Sequence, residues 1–335
     1  MAEPAALLGD LDEPGLTAGA YLTSWLGHAR GRVRAKTYKG YEGVIRLYAL
    51  PGLGSVVLKD VHPLVLQRVY SELLARGLSG GTVLNLHLVL TQAFAQAARW
   101  GLVPVNPAAG AQPPRPRRPE QAVMDPALAE RIMAAAQGTF FEVLAALAIA
   151  TGMRRGEILA LRWSDLDPGY TTAQVRRSLQ TIGGRLLFEE PKTRRSRRAV
   201  ALPSFLRPYL VRHRESQVIR RQRCPSWVDL NLVIDAGDGS PVNPDTMSSR
   251  WNRFLKRSGL PPLRFHDLRH GHATLMLLQG VHPKVVSERL GHSSVGITLD
   301  TYSHVLPNMQ TEAAQAFDQL FGTAAAVEKT GARSL

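Results

Sequence analysis

Four short segments hold residues that are chemically capable by type and spacing, and in the first two of them the arginines suit a phosphate. The first is TGMRRGEILALRW, residues 151–163. Gly152 ends one helix there, and the next opens with Arg154, Arg155 and then Glu157. Cations at a helix N-terminus oppose the macrodipole, so an arginine there is locally unfavourable without an anionic partner. A phosphate suits, because the free N–H groups of that turn also favour anions; a surface pair with Glu157 is the plainer alternative. The second segment is RFHDLRHGHATLM, residues 264–276. His266 and Arg269 stand three apart and share a helix face, with His270 one turn after His266. An Arg/His phosphate site, structural histidines, and a zinc site built on His266, His270 and His272 are the three readings. The glutamate of an H-E-x-x-H site is missing, since Asp267 follows His266. The third segment is LGHSSVGITLDTYSHV, residues 290–305. Gly291 suits the left-handed position that closes a helix, and His292 follows it. Tyr302, the only tyrosine after Tyr209, ends the next short helix, and packing of that helix end is its ordinary fate. The fourth is EEPKTRRSRRAV, where Lys192 is the only lysine between Lys59 and Lys256. Arginine has no usable proton to donate, whereas a lysine among positive charges is lowered toward useful acidity.

Other phosphate motifs are missing. There is no Gly-rich loop with Lys and Ser/Thr, no G-x-G-x-x-G after a strand, and no paired-Asp cluster. Neither ATP nor Mg²⁺ chemistry is expected.

The elements that must position these residues fall in two groups. Thr17 caps a helix through Arg30, with Tyr21, Leu22, Trp25 and Leu26 on one stripe. Thr37–Leu50, Pro63–Arg76 and Thr82–Trp100 complete a four-helix domain. Prolines 104, 107, 113, 114, 116 and 119 then read as an extended basic linker near polyproline II, with Arg115, Arg117 and Arg118 as phosphate contacts. Beyond it, Asp125-Pro126 starts a helix and Phe140–Ala150 is almost wholly apolar, so it is central to a core. Arg154–Trp163 is a helix, and Thr172–Leu179, Arg185–Glu190 and Arg198–Leu202 are three short strands. Helices follow over Ser204–Arg223, Asn243–Ser258, His266–Gln279, Pro283–Leu290, Ser294–Tyr302 and Asn308–Phe321. The fold class is mainly α with a small antiparallel β-sheet. The division expected is an N-terminal tail 1–15, a first domain 16–106, a linker 107–120, a second domain 121–323 and a C-terminal tail 324–335.

Composition agrees with a nucleic-acid partner. The chain has 335 residues, 41 Lys+Arg against 27 Asp+Glu, and a net charge of +14. Only seven of the basic residues are lysine, and arginine grips phosphate bidentately. With 44% hydrophobic and 20% charged residues, it has apolar material for cores and is no disordered polycation. One cysteine, Cys224, excludes an intrachain disulfide framework. The longest apolar run, Val143–Ala150, is far short of a membrane span, and the acidic N-terminus does not resemble a signal peptide. A soluble, cytoplasmic, nucleoid-associated protein is expected.

Taken in order, Arg154, Lys192, His266, Arg269, His292 and Tyr302 resemble the six active-site positions of the tyrosine recombinase (phage integrase) family. The likeness runs through TGMRRGE, PKTRRSRR, HDLRHGHA, LGHSS and TYSH and covers roughly residues 16–320. Arg154 is chosen over Arg155 because it stands three before Glu157, in an R-x-x-E register. The resemblance implies a SAM-like core-binding domain before the linker and a catalytic domain after it. It implies site-specific DNA strand exchange through a 3′-phosphotyrosyl intermediate, without ATP or metal. Tyr302 would be the nucleophile, Arg154 and Arg269 would neutralise the non-bridging oxygens, and Lys192 would protonate the 5′-oxygen. His266 would assist proton transfer at Tyr302, His292 would bond the phosphate, and Glu157 would be a structural support. Arg194, Arg195 and Arg197 join the linker arginines as expected DNA contacts. The implied partners are double-stranded recombination sites, a tetramer on DNA with the C-terminal helix docking in trans, and accessory bending or directionality factors. A DNA-binding regulator without catalysis and a zinc hydrolase are the competing classes.

Overall fold

The computed structural model describes residues 15–116, 124–190 and 197–302, together with 314, 315, 317 and 318. Of 300–302 it describes the backbone course alone. The chain divides into two compact units, Met1–Glu120 with the short segment Ile182–Gly184, and Gln121–Thr181 with Arg185–Leu335.

The first unit is helical. Helix α1, Ala18–Ala29, is capped by Thr17, whose hydroxyl accepts from the Ala20 amide. Helix α2, Ala35–Val44, was expected to stop at Leu50, before Pro51. It instead passes through a π turn, Ile45–Ala49, into a short helix α3, Leu50–Leu53. Pro51 has no N–H to give, but as a first-turn residue of α3 it needs none. Helix α4 is Pro63–Ala75 and α5 is Gly80–Arg99. Helix α5 starts two residues ahead of the sequence reading because Ser79, rather than the glycine pair, caps it through the Thr82 amide. Tyr21, Leu22, Tyr70, Leu86, Leu90 and Phe94 lie wholly inside.

The proline segment departs from the extended linker that was expected. Pro107–Gly110 is a 3-10 turn, with Pro107 and Ala108 buried and Ala111 in the first core. Asn106 makes the turn: its side-chain oxygen accepts from the Ala108 amide while its nitrogen donates to the Thr91 carbonyl. Arg115 is exposed and without regular structure, and Arg117 and Arg118 lie outside the described residues.

The second unit is built on α7, Phe141–Thr151, of which nine residues are buried. It packs against α6, Pro126–Ala136, whose N-cap Asp125 accepts from the Leu128 amide. Helix α8 is Arg155–Leu159, shorter than expected. After Ala160 the chain joins an isolated bridge, Arg162 to Leu232, and a 3-10 turn, Trp163–Asp165. The sheet also differs. The first expected strand splits into β1, Thr172–Val175, and β2, Ser178–Ile182; β3 is Arg185–Glu189 and β4 is Arg198–Ala201. Strand β1 pairs antiparallel with β4, from Thr172 opposite Ala201 to Val175 opposite Arg198, and β2 pairs with β3. The split falls where Arg177 turns to the buried Asp165, 2.7 Å away. Helices α9, Arg207–Arg223, α10, Pro244–Arg257, α11, Asp267–Leu278, α12, Pro283–Leu290, and α13, Val295–Tyr302, follow. Trp251 on α10 is fully buried among Phe141, Phe254 and Phe265 and donates to the Leu263 carbonyl. The expected helix Asn308–Phe321 lies mostly outside the described residues; Ala314, Gln315, Phe317 and Asp318 are helical and exposed. Among the described residues no helix is long and apolar enough to cross a membrane.

Candidate active site

The site forms where helix ends meet. Helix α7 stops at Gly152, in the left-handed region at φ 63°. A Cβ there would stand 2.6 Å from His272 and 2.7 Å from Leu290, so the position needs glycine for its space as well as its backbone. The released Gly152 carbonyl accepts from Arg269 Nη1 at 2.8 Å. Arg269 projects from α11 and is 4% exposed.

Arg154 is the residue just before α8, not a member of it. Its amide donates to Glu157 Oε2 at 2.8 Å, and its guanidinium pairs with Glu157 Oε1 at 2.9 Å. The anionic partner that sequence reasoning demanded of an N-terminal arginine is thus met in part by Glu157, while Arg154 keeps 40% of its side chain exposed. Arg155, the fallback, turns instead to Ser248 and Asp245 on α10.

Glu157 is 4% exposed and carries more than the Arg154 pair. Arg198, at the head of β4, reaches it with both terminal nitrogens, at 3.2 and 2.9 Å. Burial pushes the Glu157 carboxyl up, but the hydrogen bond and charge of Arg198, then Arg154, outweigh it and hold the group below the usual carboxylate range. Arg198 was missed in the sequence. The signal was present: it stands two residues before the buried Val200 and so shares the inward face of β4.

His292 follows Gly291, the left-handed residue that closes α12. Its Nδ1 lies 2.9 Å from the Thr298 hydroxyl on α13, a wholly buried side chain. Tyr302 ends α13, one turn after Thr298. Burial, then the charges of Arg269 and Arg154, push His292 down to about 4. His266 leads into α11 and is exposed, with its ring edge-on to His270 at 5.0 Å. The protein around it, then His270 and Arg269, push it down to about 4 as well. Both rings are therefore neutral at pH 7, each with one ring nitrogen free of a proton.

His272 stands apart from the zinc reading. Its Nδ1 meets the Ile149 carbonyl at 2.8 Å, and its Nε2 accepts from Arg289 Nε at 3.2 Å. Both ring nitrogens are engaged in holding the end of α7. Among the described residues no three His, Cys, Asp or Glu side chains are grouped to hold a metal ion.

The structure thus brings together Arg154, Glu157, Arg269 and His292, with His266 beside His270 at the head of α11. Lys192, Arg194 and Arg195 lie outside the described residues. Arg197 is exposed and pairs with Glu190.

Residues 122–309 match the phage integrase family and residues 17–74 its N-terminal SAM-like domain. A XerC-like tyrosine recombinase of Caldanaerobacter subterraneus is 30% identical, covering 93% of this chain and 85% of that protein. The ICEBs1 integrase of Bacillus subtilis is 35% identical across 54% of this chain and 49% of its own. The fold is shared with the Tn1549 transposon integrase, solved in complex with a circular intermediate DNA. That likeness has a TM-score of 0.78 and 20% identity, over 91% of this chain and 99% of that one. A lambda integrase dimer bound to a core site gives a TM-score of 0.65 at 19% identity, over 90% of this chain and 81% of that one. The chain belongs to the phage integrase family of tyrosine recombinases, enzymes of site-specific DNA strand cleavage and transfer.

Proposed function

We propose that Tyr302 is the nucleophile of this recombinase and that Arg154, Arg269, His266, His292 and Lys192 serve its reaction on a double-stranded recombination site. The Tyr302 hydroxyl attacks the scissile phosphorus, its proton passing to neutral His266. The bond to the 5′-oxygen breaks, and Lys192 supplies the proton that makes a free 5′-hydroxyl. The 3′-phosphotyrosyl ester then conserves the phosphodiester bond, so rejoining by a partner strand's 5′-hydroxyl needs no ATP. Arg154 and Arg269 face the non-bridging oxygens, where fixed cations stabilise the charge of the pentavalent transition state. The single observation that carries this reading is the convergence of Arg154 and Arg269 on the turn that bears His292, which is bonded in turn to the helix of Tyr302.

Residues 16–106, with the 107–111 turn packed on them, would serve as the core-binding domain, 112–120 as the connection, and 121–323 as the catalytic domain. Arg115, Arg117, Arg118, Arg194, Arg195 and Arg197 would add phosphate contacts. A lambda integrase tetramer is known on a Holliday junction; a tetramer on DNA is proposed here too. The segment 308–321 would dock on a neighbouring protomer, and accessory bending factors would assist.

Nicked duplexes that trap the covalent step test this reading. The parent protein should form a protein–DNA adduct that Tyr302→Phe abolishes while DNA binding persists. Undiminished adduct in that variant would refute it.

A further inference from the structure

The C-terminal turn of α12 gathers three arginines from three different elements. Arg198 Nε, from β4, donates to the Arg289 carbonyl at 2.6 Å. Arg269 Nη2, from α11, donates to the next carbonyl, Leu290, at 2.8 Å. Arg154 Nη2, from the start of α8, donates to the one after, Gly291, at 3.3 Å.

Why these carbonyls are available follows from how the helix ends. The last four carbonyls of a helix have no partner within it. Here the left-handed Gly291, φ 68°, folds the chain back so that the Gly291 amide reaches the Glu288 carbonyl and the His292 amide reaches that of Ser287. This is the paired bonding of a Schellman turn, and it satisfies those two carbonyls internally. The following three are left pointing outward, where the helix dipole carries about half a negative charge. Three guanidiniums crowded together repel one another. The turn offsets that repulsion and fixes one edge of each fork.

Resting on the reading that Arg154 and Arg269 hold the scissile phosphate, we propose that this turn is the positioning element of the phosphate site. Gly291 and Arg198 are its positioning residues. Gly291 creates the row of carbonyls, and Arg198 ties that row to Glu157, which also holds Arg154. A Cβ on Gly291 would lie 3.0 Å from Arg198 Nη1 and 3.3 Å from its Cδ, besides straining the left-handed backbone. Gly291→Ala must therefore move Arg198 or unwind the turn.

The test uses a nicked duplex that the full-length parent cleaves, made with an ordinary scissile phosphate or with a methylphosphonate, which lacks the negative charge. Gly291→Ala and Arg198→Ala should slow adduct formation on the phosphate on the order of 10- to 100-fold, with DNA affinity within about threefold. Arg198→Lys, which keeps a buried cation against Glu157 and so protects folding, should show the same defect. On the methylphosphonate the gap between each variant and the parent should shrink to about threefold, because aligned cations matter less to a neutral centre. Loss through general misfolding would slow both substrates equally. Variants as fast as the parent on phosphate, or equally slowed on both substrates, overturn the proposal. Failure of the parent to cleave any duplex overturns the reading beneath it instead.

Discussion

Glu157→Gln isolates the buried charge on which the arginines depend. The carboxylate accepts from the Arg154 amide, the Arg154 guanidinium and both terminal nitrogens of Arg198. Glutamine keeps the shape but sets an N–H₂ group against a guanidinium and removes the charge. Breaking a buried ion pair by removing one partner costs about 3–5 kcal/mol. The Arg154 side, 40% exposed, adds no more than about 1 kcal/mol. Arg198 keeps its bond to the Arg289 carbonyl, and the remaining Gln oxygen still accepts. The lower end, about 3 kcal/mol, is therefore expected for the second unit at pH 7. That is a large share of the 5–15 kcal/mol typical of a domain. The pH dependence follows in sign. The folded carboxyl titrates below its unfolded value, so its stabilisation is complete above that value and is lost as pH falls through the folded one. The gap between parent and variant should hold from pH 8 to 5 and narrow by about 1 kcal/mol at pH 3.5. Native-state hydrogen exchange of the amides of the deeply buried α7 measures this directly. A gap below about 1 kcal/mol at pH 7, or one undiminished at pH 3.5, would refute the reasoning.

Further outcomes follow from the same geometry. Gly152→Ala should destabilise the second unit by about 2 kcal/mol or more, from left-handed strain plus overlap with His272 and Leu290, as read by thermal unfolding. Wild-type melting behaviour would contradict that. Thr298→Val, which removes the partner of His292 Nδ1 at nearly constant volume, should slow adduct formation severalfold with DNA affinity unchanged. An unchanged rate would show that the bond does not orient the histidine. Because His266 and His292 are pushed down to about 4 in the protein without DNA, the acid limb of the cleavage rate at sub-saturating DNA, which reports the free protein's groups, should lie below pH 5.5. A limb centred near pH 6.5 would mean that these rings titrate normally.

Local chemistry was legible wherever a single residue decides it. Thr17 and Asp125 start helices through their own oxygens, and Gly152 and Gly291 end them because glycine takes the left-handed backbone without steric cost. The apolar run of α7 and the histidine–arginine spacing of α11 are likewise written in sequence. Long-range partners decided what was missed. The expected helix Arg154–Trp163 stops early because Leu232 claims Arg162. The strand beginning at Thr172 breaks because Asp165 claims Arg177. The prolines from 107 onward begin as a buried turn because Asn106 finds the Thr91 carbonyl. The inward register of Arg198 is written in β4, but its role is not, since that depends on a glutamate 41 positions away.

The most direct measurement is to map the covalent bond itself. Adduct trapped on a nicked duplex should yield, after protease and nuclease digestion, a peptide containing Tyr302 esterified to a 3′-phosphate, opposite a free 5′-hydroxyl end. An adduct on any other residue, or one joined through a 5′-phosphate, would contradict the account.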